Sequence, residues 1–301
     1  MDRARGAVRD KGQDIVSADP AVQPFPCAPV KPALRGHLHL VAEARPGGTT
    51  VIARQSFRAP FHLSKPYWDG HALQVQLVNS TAGILAGDEL DVSVEAAAGA
   101  RLSLTTPAAA RAYMMKSGVA CCRQRFVAAE GASLEYLPEA LYPHRDTDYT
   151  QQTFLEVGAG ASVFFVDQLA PGRVGLGECW AWRRLRLGLD VVLERRLVLR
   201  ELLDRSGPSL ARTAALHAFA EAWFATALVV GPALGAESSL WTRVRELASD
   251  SVACGVTHPV PALGVVRLVA RSGLALRDAL AGVRGVVAEA IPALRTDHRK
   301  L

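Results

Sequence analysis

Three stretches follow one plan: Asp91–Pro107 (DVSVEAAAGARLSLTTP), Arg123–Pro138 (RQRFVAAEGASLEYLP) and Thr153–Pro171 (TFLEVGAGASVFFVDQLAP). Each has a run alternating apolar and polar residues, a Gly-Ala turn, a second β-type run and a terminal proline. Alternation with period two is the mark of a strand with one face buried. Glycine supplies the positive φ of a tight turn, and proline, lacking an N–H, stops the second strand. The turns fall at Gly99-Ala100, Gly131-Ala132 and Gly160-Ala161, spaced 32 and 29 residues apart. A period near 30 means units that stack, each burying its apolar face on its neighbours. The expectation is a mainly β chain, a helical (coiled) β-sandwich of stacked strand pairs in a single domain.

Working outward, more β-type runs precede the repeat: HLHLVAEA (37–44), TVIARQSF (50–57) and ALQVQLVN (72–79). Before them, Pro20, Pro24, Pro26, Pro29 and Pro32 exclude a helix or inner strand, so residues 1–35 are expected to form a flexible tail. After Ser206 the texture changes. SSLWTRVRELASD (238–250) offers Ser238 or Ser239 as N-cap, with Leu240, Val244 and Leu247 at helical spacing. GLALRDALAGVRGVVAEA (273–290) predicts a second helix stopping near Pro292, with Leu274, Ala275, Leu280 and Val283 near one face. Between them GVVRLVAR (264–271) reads as a strand, whereas LHAFAEAWFATALVVG (216–231) fits either state. The expected organisation is a tail over 1–35, one β domain over 36–295 and a short tail over 296–301.

With 301 residues, 50% of them hydrophobic and 21% charged, the chain can bury a large core, which excludes disordered, collagenous, coiled-coil and disulfide-scaffold classes. No apolar run is long enough to span a bilayer. The charged N-terminus MDRARGAVRDKGQD lacks the apolar stretch of a secretory signal, so a cytoplasmic protein is expected, with no membrane partner. The net charge of +5 comes from arginines dispersed among acids; in Arg183–Arg205, Asp190, Glu194, Glu201 and Asp204 intervene. With no basic run interleaved with aromatics, no nucleic-acid partner is expected.

Cys27, Cys121, Cys122, Cys179 and Cys254 include no CxxC pair and are expected to be free thiols. His37 with His39, and Cys254 with His258, each supply two potential metal ligands but no local third. Phosphate-binding loops, HExxH, GxSxG and kinase signatures are all absent from the sequence. What stands out is acids in apolar or glycine-rich surroundings: Asp88 after GILAG, Asp167 after SVFFV, Glu178 in GLGE and Glu194 inside VVLERRLVL. Such carboxylates must be solvated, paired or coordinated. A pair of them, such as Asp88 and Asp167, in a β-solenoid would suit a hydrolase with carboxyls about 5 to 9.5 Å apart. Only 19 aromatic residues in 301 argue against the sugar platforms that such an enzyme needs.

An ordered set of motifs resembles one family. GHLHLVAEARPGGTTVIARQ (36–55) and APFHLSKPYW (59–68) come first, then LVNSTAGILAGDELDVSV (77–94), LTTPAAARAY (104–113) and LEYLPEALYP (134–143). LAPGRVGLGE (169–178), VVLERRLVL (191–199) and LGVVRLVARSGLALRDAL (263–280) complete it. Together they resemble the urease accessory protein family UreD, also called UreH. The resemblance implies a helical β-sandwich with two helices and no catalysis of its own. It implies a scaffold that binds apo-urease and UreF, and through UreF the GTPase UreG, in a dimeric heterocomplex. It also implies an internal tunnel for nickel in transit, with no tightly bound cofactor. Residue by residue, Asp88 matches the aspartate of the family's GGD, Asp167 the acid before GR, Glu178 the glutamate of GRxxxGE and Glu194 that of the apolar-apolar-ER strand. A dication in transit needs weak oxygen ligands and water, so that it can leave as readily as it enters. The chain departs from the family at Ala82-Gly83, where two glycines are usual, at Arg111, where lysine is usual, and at Met114-Met115, where Arg-Ser is common. Its LYPHRDTDY segment also carries His144, Asp146 and Asp148 in place of a phenylalanine-rich loop.

Overall fold

The structure is a computed structural model describing residues 34–215, 219–231, 234–235 and 237–297. The expected tails lie almost wholly outside the described residues. The first strands are β1 (Leu34–Ala44), β2 (Thr50–Arg58), β3 (Phe61–Leu63), β4 (Tyr67–Asp69) and β5 (Ala72–Asn79). The repeat region holds β6 (Asp88–Ala96), β7 (Arg101–Thr105), β8 (Ala110–Ala112), β9 (Ala120–Ala128), β10 (Ser133–Leu137), β11 (Leu141–Pro143), β12 (Asp148–Val157) and β13 (Ser162–Leu169). Then come β14 (Gly172–Arg173), β15 (Glu178–Cys179), β16 (Arg184–Leu193), β17 (Arg196–Arg205), α1 (Gly207–Ala215), β18 (Trp223–Val230), α2 (Ser239–Arg245), β19 (Val252–Val260), β20 (Leu263–Ala270) and α3 (Gly273–Ala290).

The three quoted stretches are coils of a sandwich. β6, β9 and β12 lie side by side and parallel in a seven-stranded sheet ordered β17-β16-β12-β9-β6-β1-β2. β7, β10 and β13 do the same in the opposite sheet, whose main path is β19-β20-β18-β13-β10-β7-β5-β3. Each Gly-Ala turn therefore carries the chain from one sheet to the other and closes no hairpin. Gly99, Gly131 and Gly160 have φ of 68°, 63° and 66°, where a β-carbon is strained. Ala100, Ala132 and Ala161 are buried, and the turns bond to one another: Gly99 N–H to Glu130 O at 3.0 Å and Gly131 N–H to Ala159 O at 2.9 Å. A glycine that can turn and an alanine small enough to be stacked upon explain why the dipeptide recurs.

Register carries the repeat into the core. Leu104, Tyr136 and Phe165 are aligned across β7, β10 and β13, and Val94, Phe126 and Leu155 across β6, β9 and β12. The rings of Phe126, Tyr136 and Phe165 meet at 4.5 to 5.0 Å between the sheets. A second core fills the outer side of β13, β18 and β20. Phe164, Val166, Val229 and Leu268 pack there under Trp241 of α2 and Leu276, Leu280, Val283 and Val287 of α3. Strands buried on both faces read as continuous apolar runs, which is why the stretch after Leu216 did not separate strand from helix. It forms β18 from Trp223 onward.

Both expected helices are present, with Ser238 and Ser272 accepting N-cap hydrogen bonds, and α1 adds a third. Leu274 departs from its expected face: it is 60% exposed, because the buried stripe of α3 runs through Leu276, Ala279, Leu280, Val283 and Val287. VVLERRLVL is a hairpin and not one strand. Leu193 pairs with Arg196, and Glu194 and Arg195 form the turn with φ of 47° and 69°.

Candidate functional site

A cavity of about 700 Å³ lies between the two sheets. Mostly apolar, it carries a polar stripe on each wall. On one wall Asp167 of β13 faces Thr226 of β18 in register, and Thr226 faces Arg267 of β20. All three line the cavity. Arg267 donates to Glu201 of β17, so this ion pair bridges the two sheets at the cavity edge. On the other wall Tyr149 Oη donates to Gln151 Oε1 at 3.0 Å, Gln151 Nε2 reaches Thr153 Oγ1 at 3.4 Å, and Thr153 Oγ1 donates to Gln124 Oε1 at 3.2 Å.

Electrostatics set these groups apart from surface ones. Burial pushes the Asp167 carboxyl up to about 6 and the Cys122 thiol, on the opposite wall, up to about 12. Near neutral pH the cavity therefore presents an oxygen anion at Asp167 and a protonated sulfur at Cys122. Asp167 is only half-buried, because it faces the cavity.

The other three sequence candidates lie elsewhere. Asp88 is buried at the start of β6 and accepts from Leu85 N–H at 2.8 Å, while its own N–H donates to Leu85 O at 3.1 Å. It thereby closes the turn that places Ile84 on the cavity, and burial raises its pKa. Gly83 is needed in that loop: at φ 158°, a β-carbon would lie 2.4 Å from Arg111 O. Glu178 accepts from Arg173 at 2.6 Å and lies 3.8 Å from Arg145; the Arg173 hydrogen bond holds its pKa below the usual carboxylate range. The arginine and glutamate of GRVGLGE are thus a structural pair across β14 and β15. Glu194 is exposed in its hairpin turn. Asp88 and Asp167 are not brought together as a facing acid pair, since among the described residues only Asp167 of the two lines the cavity.

Among the described residues the histidine and cysteine pairs gain no third ligand. His37 meets Ser56 Oγ at 3.1 Å, Cys254 Sγ donates to Val244 O at 3.4 Å, and the His258 ring packs on Trp241 at 4.8 Å. Among the described residues no three His, Cys, Asp or Glu side chains gather to hold a metal. Cys122, Cys179 and Cys254 are free as expected, whereas Cys121 is disulfide-bonded. In the chain-specific segment, buried His144 stacks on Tyr113 at 4.6 Å, Asp146 turns the chain at φ 56°, and Asp148 pairs with Arg183 at 3.1 Å. Arg111 lines the cavity and Met115 is fully buried.

Sequence reasoning missed Glu201 and Arg267. Their signal was present: each interrupts a period-two apolar series on a core-facing strand side, Leu199-Glu201-Leu203 and Val265-Arg267-Val269. A second cavity, of about 650 Å³, lies across the eleven-stranded sheet, beneath α3. Thr106, Pro107, Ala109, Pro138, Glu139 and Gln168 line both cavities. Pro107 and Pro138 follow the ends of β7 and β10 and take no part in the ladder, so the residues shared by the two cavities lie where the sheet hydrogen bonding stops.

Residues 34–299 match the family described as UreD urease accessory protein. The chain is 48% identical over 269 residues to the urease accessory protein UreD of Opitutus terrae, spanning 88% of this chain and 98% of that one. It is 31% identical over 252 residues to that of Alkalilimnicola ehrlichii, covering 83% and 85% of the two chains. With the protein of Anaeromyxobacter sp. it shares 30% over 264 residues, 84% and 87% of the respective lengths. The family match across its whole described length and the 48% identity to a UreD protein place this chain in the UreD family of urease accessory proteins.

Proposed function

We propose that the chain is a non-catalytic scaffold of urease maturation in the cytoplasm. It binds apo-urease and a UreF-type protein, which brings a UreG-type GTPase, in a dimeric heterocomplex, and it passes nickel through its interior. The observation that carries this is Asp167 set in a roomy cavity whose lining also includes hydroxyl and amide side chains. One carboxylate beside Thr226, with Gln124 and Gln151 on the opposite wall, offers weak, exchangeable oxygen ligands, which hold a hydrated dication briefly and release it. Keeping Cys122 as a thiol avoids the tight thiolate capture that would stop transfer. Glu201 offsets Arg267, so the stripe does not repel a cation. Asp88 closes the turn that brings Ile84 to this passage, and Glu178 ties β15 to β14 through Arg173; no tightly bound cofactor is required.

The test is nickel-dependent activation of urease in a strain lacking this chain, complemented by wild type or by Asp167→Ala with Glu201→Ala. Expected outcomes are no activation without the chain, and at least tenfold less with the double variant while the partners still copurify. Normal activation in the deletion strain would refute the proposal.

A further inference from the structure

Cys121 sits on the outward face of the seven-stranded sheet, since its neighbour Cys122 lines the interior cavity and side chains alternate along β9. Charged side chains nearby on that face, in the pairs Arg123–Asp91 and Arg125–Glu156, are 41% to 52% exposed. Cys121 is only 6% exposed, yet it belongs to neither core. Cys121 faces Thr150 of β12 in register, and the next outward residue of that strand is Gln152. Gln152 is also 6% exposed, and its Oε1 accepts no hydrogen bond among the described residues. Cys121 is disulfide-bonded, Cys122, Cys179 and Cys254 are free, and of the five cysteines in the chain this leaves Cys27.

We infer that the segment leading into Leu34 is strapped across this outward face by a disulfide between Cys27 and Cys121, and that a dithiol reductant releases it. Register keeps the reach short. Arg35, Glu89 and Cys121 lie in one row across β1, β6 and β9, so Cys121 is two strand spacings, about 10 Å, from Arg35. Cys27 stands eight residues before Arg35, and such a length of extended chain spans about 26 Å. Pro24, Pro26, Pro29 and Pro32 favour an extended course, which makes no hydrogen bonds of its own and leaves N–H groups free for Gln152 Oε1. Phe25 and Val30 supply apolar cover. Cys27 precedes the residues matched to the family. In a reducing compartment a disulfide of this kind forms transiently and senses oxidant. For release, one thiolate of the reductant bonds to the Cys27 sulfur, the Cys27–Cys121 bond breaks, and Cys121 leaves as a thiolate that takes up a proton. The reductant's second thiol then displaces Cys27, so two electrons and two protons end on the protein and the reductant becomes a disulfide.

The experiment equilibrates the full chain with glutathione disulfide or with dithiothreitol, alkylates free thiols and maps the peptides by mass spectrometry. The oxidised monomer is expected to carry one link, Cys27 to Cys121, which Cys27→Ser or Cys121→Ser abolishes and Cys122→Ala retains. Hydrogen exchange then reads the strap itself. The amides of Ala28, Val30, Lys31 and Ala33 should exchange at least tenfold more slowly in the oxidised chain than in the reduced chain or in Cys27→Ser. Gln152→Lys, which sets a long charged side chain under the strap, should cut that protection at least threefold while the link remains. No link, a link to Cys122, or a link only between two copies overturns the proposal. Equal exchange in the oxidised and reduced chains also overturns it, since the disulfide would then tether the segment without laying it on the sheet.

Discussion

Arg284 of α3 donates to both carboxylate oxygens of Glu135 on β10, at 3.0 and 3.2 Å, and Glu135 is only 2% exposed. Thr296 also bonds Glu135, so one buried carboxylate ties helix, sheet and C-terminal segment together. Removing one partner of a buried pair strands a charge. Arg284→Met is expected to cost about 3 to 5 kcal/mol, whereas Glu135→Leu with Arg284→Met should fall close to wild type. Urea unfolding of the four-member cycle measures this; a single variant as stable as wild type would refute it.

Asp167 bears a cost for its place in the cavity. Its folded pKa is raised from 3.8 to about 6 by burial, so between those values the native chain keeps a proton that the unfolded chain has lost. Wild-type stability therefore falls as pH rises through that window. Asp167→Asn should be more stable by on the order of 1 to 3 kcal/mol above pH 6 and should gain nothing below the unfolded pKa. Thermal unfolding from pH 3.5 to 7.5 checks this, and a pH-independent difference would contradict it.

Glu178 behaves oppositely. Its pKa is lowered by hydrogen bonding to Arg173, so its stabilising effect is present above its unfolded value of 4.5 and is lost as pH falls through the folded one. Glu178→Gln should be the less stable by under about 1 kcal/mol at pH 7, given the pair's partial exposure. The gap should narrow in acid and in high salt. Melting curves at two pH values and two ionic strengths suffice; a gap that widens in acid would reverse the assignment.

The hairpin between β16 and β17 places two non-glycine residues in the left-handed region. Asn-Gly favours that turn, so Glu194→Asn with Arg195→Gly is expected to stabilise by about 1 kcal/mol. Chemical denaturation reads the gain. A loss would show that the two side chains contribute more than the turn strain costs.

Much of the fold was legible in the chain. Period-two alternation, Gly-Ala at a spacing near 30 and Ser238 before an amphipathic run are local signals that a residue and its near neighbours carry alone. Of the four acids chosen from sequence, Asp167 reached the cavity and the others shape turns and pairs. An acid after glycine or beside arginine looks the same whether it caps a turn, as Asp88 does, or faces an interior. Glu201 escaped notice because its significance depends on which face of β17 points inward.

Sequence by itself determined that this is a stacked β protein of the UreD family, because backbone dihedral preference and side-chain alternation are properties of short segments. Only the tertiary structure decided that each Gly-Ala turn joins opposite sheets and that Asp167, Thr226, Arg267 and Glu201 share one stripe. It also placed two cavities back to back across the sheet at Glu139. The physical reason is register. Residues 41 to 66 positions apart become neighbours only when strands pair, and the pairing that aligns them is chosen by the burial of the whole core.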